Sequence, residues 1–142
     1  MMSMQMTPFI MLDGKAEAAI RFYEEALQAK VVFKQTFGDA PPQSWNRPLT
    51  EEERKRIAHC VIKAGDTELF VADADAGEYD QPGSQVSICI SVDKADTARQ
   101  TYESLQQGGQ IVRPLAAIYF SPAYGIVKDK FDVVFQIFTK RS

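Results

Sequence analysis

The feature that most constrains this chain is an internal repeat. Residues 15–24 align without a gap on residues 94–103, at a spacing of 79. Lys15, Ala16, Ala19, Tyr23 and Glu24 recur as Lys94, Ala95, Ala98, Tyr102 and Glu103, and Glu17 falls over Asp96. Both segments carry apolar residues at helical spacing. Ala16, Ala19, Ile20, Tyr23, Ala26 and Leu27 form one stripe; Ala95, Ala98, Tyr102 and Leu105 form the other. An amphipathic helix met twice in the same strand context is the mark of one supersecondary unit used twice.

The residues around each helix predict that unit. In the first half, residues 7–12 form a short apolar run stopped by Asp13-Gly14, and the helix covers 15–28. A strand follows at 31–37. Gly38 to Pro42 then breaks the sheet, because two prolines remove backbone donors. The excursion holds Trp45 and Pro48, then Thr50-Glu51-Glu52-Glu53, a capping-box pattern that starts a short helix through Lys55. Strands at 57–63 and 68–72 flank a Gly65-Asp66 hairpin turn. After a turn-rich linker at about 74–84, a strand at 85–92 leads to a helix over 94–107, with Asp93 expected to cap it. Gly108-Gly109 ends that helix, and strands follow at 110–115, 124–128 and 133–139. The expected fold class is α+β: a single domain over 1–142 made of two βαβββ modules, about 5–73 and 85–140.

A chain of 142 residues buries roughly 70% of its unfolded surface and needs no disulfide. With 45% hydrophobic residues, 25% charged residues and a net charge of −3, it has no basic excess to neutralise phosphates. No nucleic-acid partner is expected. The segment Met1-Met2-Ser3-Met4-Gln5-Met6 lacks the charged-then-apolar order of a secretory signal, and no uncharged run nears the roughly 20 residues of a membrane helix. The reading is a cytoplasmic protein without a membrane partner. Cys60 and Cys89 sit in apolar, strand-like runs with no C-x-x-C spacing, which predicts two buried reduced thiols.

Several words of the sequence narrow the family. Pro8-Phe9-Ile10-Met11-Leu12-Asp13-Gly14, Ala16-Glu17-Ala18-Ala19, Phe22-Tyr23 and Phe37-Gly38-Asp39-Ala40-Pro41 lie in the first half with Ala58-His59. Ser91-Val92-Asp93 and the run Tyr124-Gly125-Ile126-Val127-Lys128-Asp129-Lys130-Phe131 lie in the second. Together they resemble the PhnB-like branch of the vicinal oxygen chelate superfamily of glyoxalases, bleomycin-resistance proteins and dioxygenases. That branch is also labelled 3-demethylubiquinone-9 3-methyltransferase-like. The resemblance implies two curved mixed sheets around a cup, and a homodimer. The methyltransferase label finds no support, because no Gly-rich turn joins a strand to a helix with an acidic residue further on. At Phe120-Ser121 the branch often has Trp-Gly, and at Asp132 and Phe135 it often has Gly and Trp.

Metal-dependent members place four ligands at positions that the resemblance maps near Pro8, Phe70, Ser87 and Gln136. Two of these side chains have no donor atom and two are neutral, poor ligands. A shift by one residue to Thr7, Leu69 and Val86 does no better, so no metal or other cofactor is expected. His59 is the only histidine. Strand alternation puts it opposite Cys60. One reading makes it a half-buried histidine hydrogen-bonded to a neighbour; the other makes it a cup-facing acid, base or hydrogen-bond donor to an anionic ligand.

Ser87, Cys89 and Ser91 share a strand face, and Gln136 faces the same cup. Glu68, on the face of Phe70, ranks behind His59 as a base. Phe9, Phe33, Phe37, Phe70, Tyr119, Phe120, Tyr124, Phe135 and Phe138 are expected to be mostly core. Trp45 stands apart, as cover for a pocket or part of a subunit interface. Three functions follow: a metal-free binder of an unidentified small molecule contacting His59, Phe70, Ser87, Cys89, Gln136 and Trp45; an atypical isomerase or lyase using His59; or an interaction module whose cup its own side chains fill.

Overall fold

Strand β1 (Phe9–Leu12) alternates exposed and buried side chains, so one face of its sheet is meant for a helix and the other is not. The computed structural model describes residues 5–45, 47–74, 87–118 and 120–141. They fall in two compact units, Met1–Asp80 and Gln81–Ser142. In the first unit β1 is followed by α1 (Ala16–Ala26), β2 (Lys30–Thr36), 3₁₀ turns at Phe37–Asp39 and Pro42–Ser44, α2 (Glu51–Lys55), β3 (Ile57–Ala64) and β4 (Thr67–Asp73). The sheet order is β1-β4-β3-β2, with β1 parallel to β4 and the other pairs antiparallel. Ile10, Leu12, Cys60, Ile62, Leu69 and Val71 point to the side of α1, which contributes Ala16, Ala19, Ile20 and Tyr23 to the core. Each large apolar side chain buried there stabilises the unit by roughly 1.5–3 kcal/mol.

The second unit repeats this plan with β5 (Ile88–Val92), α3 (Ala95–Gln106), β6 (Gln110–Ile118), β7 (Ser121–Lys128) and β8 (Val134–Thr139), in the order β5-β8-β7-β6. Helices α1 and α3 start at Ala16 and Ala95, at the spacing of the sequence repeat. Ala98, Tyr102 and Leu105 of α3 meet the side of the sheet that carries Val127, Phe135 and Ile137. Gly125 lies under Tyr102, where a Cβ would come within 3.0 Å of the ring. Gly108 ends α3 with φ of +74°, as an αL cap requires.

The capping box at Thr50 is present: Thr50 Oγ1 accepts from the Glu53 N–H at 3.1 Å, and Glu53 accepts from the Thr50 N–H at 2.9 Å. Several expectations are corrected. The capping residue of α3 is Lys94, one position after Asp93, and no side chain caps it. Ala95 is exposed. Helix α1 ends at Ala26, and Phe37 leaves the strand to start a 3₁₀ turn. β6 and β7 run past 115 and start before 124, because Ala116 pairs with Tyr124 and Ile118 with Ser121. Pro114 is tolerated since β6 is an edge strand.

Cys60 is buried but Cys89 is exposed, because β5 is an edge strand and Cys89 sits beside Gln136 on the face away from α3. The aromatics are less buried than expected. Phe37, Tyr124 and Phe135 are core, whereas Phe9, Phe33 and Phe120 stay 39–51% exposed. Among the described residues of each unit, α1 and α3 cover one face of their own sheet, so alternation sends rings to the other. Asp132 has φ of +69°, the conformation that explains why a glycine suits its position. Tyr119, residues 75–84 of the expected linker and the first two residues of the strand expected at 85–92 lie outside the described residues.

Candidate functional site

The helix-free face of the first sheet gathers three phenylalanines around the single histidine. β3 carries His59 and Cys60 on opposite faces; Cys60 is buried toward α1 and His59 is half-buried on the other side. Register places Phe9 beside Phe70 and Phe70 beside Val61, with Phe33 on the far side of Val61. The His59 ring lies 4.9 Å from Phe70, edge to face, 6.1 Å from Phe33 and 6.3 Å from Phe9. Phe9 and Phe70 are T-shaped at 6.0 Å. Among the described residues no hydrogen bond to the His59 ring is made. Three phenylalanine rings form an aromatic wall around it.

The corresponding face of the second sheet is polar at its centre. Cys89, Gln136, Ile126 and Arg113 run straight across the four strands, and Ser91, Phe138, Tyr124 and Ala116 form the next row. The Gln136 Nε2 donates to Ser87 Oγ at 2.8 Å, and the Tyr124 hydroxyl donates to Gln136 Oε1 at 2.5 Å. Phe120 meets Tyr124 edge to face at 5.0 Å and stacks on Phe138 at 6.1 Å. The Arg113 guanidinium lies 5.5 Å over the Tyr124 ring. Ser87, Cys89 and Gln136 are thus brought together as the strand faces predicted. Tyr124 and Arg113 were missed as partners. Tyr124 and Ile126, two residues apart and so on one strand face, were a signal for the first; nothing short of the β6–β7 register reveals the second.

The other candidates lie elsewhere. Trp45 packs on Phe37, with ring centroids 4.8 Å apart, and its buried Nε1 has no partner among the described residues. Glu68 is exposed opposite Lys63. A charged cleft of about 550 Å³ beside the start of α1 is lined by Glu17, Lys34, Glu53, Arg56 and Asp73 among others. Lys34 pairs with Glu17 at 3.1 Å and Arg56 with Asp13 at 2.7 Å. The hydrogen bonds from Arg47 and the Thr50 backbone hold the Glu53 carboxyl down at about 2.

The residues at the mapped metal positions do not fit an ion. Phe70 stands among rings, and Ser87 and Gln136 are bonded to each other. Among the described residues no three histidine, cysteine or carboxylate side chains converge. A hydroxyl and an amide are weak ligands for a divalent cation. No helix among the described residues is long and apolar enough to cross a membrane.

Comparison with known proteins agrees with the architecture. Residues 5–137 match the family described as the Glyoxalase/Bleomycin resistance protein/Dioxygenase superfamily. The chain is 22% identical over 145 residues to protein YjdN of Escherichia coli (strain K12), covering 94% of each. Among solved structures it resembles protein PA1353 of Pseudomonas aeruginosa, with a TM-score of 0.86 and 22% identity over 99% of this chain and 100% of that one. A PhnB protein from Bacillus cereus gives a TM-score of 0.76 at 22% identity, over 96% and 99% of the two chains. With the βαβββ order present in both halves and a family match over nearly its whole length, the chain belongs to the glyoxalase/bleomycin resistance protein/dioxygenase superfamily.

Proposed function

We propose that this protein binds a small molecule on a helix-free sheet face, without a metal at the mapped positions. The observation that carries this reading is the His59 ring, without a hydrogen-bond partner among the described residues and within 4.9–6.3 Å of three phenylalanines. Such a surface combines apolar contact area with a convergent polar group, as small-molecule sites do. His59 and Phe70 are the contacts that the first unit's face offers; Ser87, Cys89 and Gln136 are those that the second unit's face offers, each face being taken by itself. Trp45 packs on Phe37 and remains a candidate for covering a pocket or joining a subunit interface.

A library of small anionic and aromatic metabolites, read by melting shifts at pH 6 and pH 8, supplies the ligands. His59→Ala then weakens binding by roughly 1–3 kcal/mol, with unfolding almost unchanged. A variant that melts several degrees lower while every hit binds as before makes His59 structural and ends the reading. The imidazole, without a hydrogen-bond partner among the described residues, also favours a second reading, an isomerase or lyase with His59 as general acid or base. Turnover of a hit, lost in His59→Ala while binding of product persists, distinguishes it from a plain binder.

The protein acts as a homodimer in this proposal. Val32 and Val112, on the edge strands β2 and β6, are 59% and 57% exposed, and apolar edges of this kind call for cover. Light scattering at micromolar concentration should give twice 15.9 kDa; the single-chain mass rejects it.

A further inference from the structure

Arg113 is the one arginine whose guanidinium donates to no other group among the described residues. Arg21, Arg47, Arg56 and Arg99 donate to carboxylates, and Arg54 and Arg141 to backbone carbonyls. Arg113 is exposed on β6 and rests 5.5 Å over the Tyr124 ring instead. A guanidinium over an aromatic face keeps its five N–H donors at the edges of its plane, where a second group can reach them. That rigid fork matches a carboxylate and takes it with two parallel hydrogen bonds.

The surroundings favour an anion. The two rows across this face, from Cys89 to Arg113 and from Ser91 to Ala116, contain no carboxylate. Tyr124, which supports the guanidinium, is itself fixed by its hydrogen bond to Gln136, and Gln136 by its bond to Ser87. Since Ser87 Oγ accepts from the amide, its own proton is turned away from it, and no described residue accepts that proton. Phe120 and Phe138, stacked at 15° beside Tyr124, add a flat apolar surface.

We infer that the helix-free face of the second sheet takes a small aromatic molecule carrying a carboxylate, with Arg113 holding the carboxylate and the Phe120–Phe138 surface meeting the ring. This rests on the small-molecule reading above and names its ligand class. Arg113 is the residue that sets specificity for charge; Tyr124 positions it.

The test uses the full chain and a matched pair of probes, 2-naphthoate and 2-naphthamide, titrated by calorimetry or ligand-observed NMR. Naphthoate should bind at least tenfold more tightly. Arg113→Gln should abolish the preference and leave naphthamide within twofold of its original affinity; Arg113→Lys should keep part of it. Arg99→Gln, at an exposed arginine of α3 paired with Asp96, should leave the preference intact. Equal binding of the two probes, or a preference that survives Arg113→Gln, overturns the carboxylate assignment while leaving small-molecule binding standing. If neither probe nor any member of the metabolite library binds at millimolar concentration, the broader reading falls and takes this one with it. Arg113 is exposed on an edge strand, so unchanged melting of the variants verifies that affinity alone has moved.

Discussion

Leu12 pairs with Asp73 and Val92 with Thr139, so these two residues hold equivalent places at the end of the fourth strand of each half. They do different things there. Asp73 is buried; its Oδ1 accepts from the Ala16 N–H at 3.1 Å and its Oδ2 from the Ile57 N–H at 3.0 Å. One carboxylate thereby caps α1 across 57 residues of sequence and holds the first residue of β3. In the second half the Thr139 Oγ1 is buried with no partner among the described residues. There Ser121, in the place of Ile57, stitches the strands by donating to the Thr139 carbonyl at 2.8 Å and accepting from the Thr139 N–H at 3.1 Å. The first residue of the helix reflects the difference: Ala16 is buried, whereas Ala95 is exposed and α3 has no side-chain cap. The repeated topology is held by sheet pairing and the helix stripe, and the two halves differ in how the helix start is tied down.

The largest expected effect breaks this contrast directly. Asp73→Ala leaves two buried N–H groups without partners and should cost about 3 kcal/mol in urea unfolding, since charge-assisted bonds contribute about 1.5–3 kcal/mol and orphaned donors cost a similar amount. Thr139→Val removes a hydroxyl that is already unsatisfied, so it should be neutral or stabilising by about 1 kcal/mol. Equal losses in the two variants would show that the position matters by packing alone.

A second contrast concerns the residue just before the second strand of each half, Ala29 before β2 and Gly109 before β6. Ala29 carries its methyl group in a buried place. A Cβ on Gly109 would stand 2.2 Å from the Lys128 carbonyl oxygen and 2.9 Å from Asp129 backbone carbons, none of which can move aside as a side chain would. Gly109→Ala should therefore destabilise by about 2 kcal/mol, as overpacking does, while Ala29→Gly costs about 1 kcal/mol through lost packing and added chain entropy. Denaturant midpoints of the two variants measure the difference. A tolerated Gly109→Ala would mean that the backbone after α3 shifts more easily than a close-packed turn allows.

Much of this was legible in the sequence, for reasons that differ by residue. Periodicity sufficed for the two helices, for the strand order and for His59 and Cys60 on opposite faces, because each depends only on a residue and its near neighbours. The same holds for the Thr50 cap. Ser87, Cys89 and Gln136 were placed on one side by alternation together with the family resemblance. What stayed hidden depends on register between strands far apart in sequence. Asp73 reaches Ala16 only because β1 and β4 are parallel neighbours, and Arg113 reaches Tyr124 only because a register irregularity separates Arg113 from Ala116 in the β6–β7 pairing. Cys89 was misjudged for a related reason: its apolar neighbours suggested a core strand, and only the strand order makes β5 an edge.

The two thiols give the smallest expected effect and sharpen the contrast between a covered face and an open one. Cys60 faces α1 and burial pushes its thiol up to about 11, whereas Cys89 is exposed on β5. A neutral-charge alkylating reagent at pH 8 should modify one cysteine per native chain, Cys89, and both only after unfolding in urea, because the thiolate is the reactive form. Mass spectrometry of the digested protein assigns the site. The sign of the pH effect follows from the same shift. Since the folded value of Cys60 lies above its ordinary 9.0, folding is favoured by the protonated thiol; that contribution is complete below about pH 9 and is lost as pH rises toward 11. Lysines and tyrosines titrate over the same range, so the measurement is the difference between the wild-type chain and Cys60→Ala in urea midpoints at pH 8 and pH 10.5. The wild type should lose more stability over that interval than the variant does. Identical losses, or rapid labelling of Cys60 in the native protein, would mean that the α1-covered face of the first sheet opens to solvent and is not the closed core from which the helix-free face is distinguished.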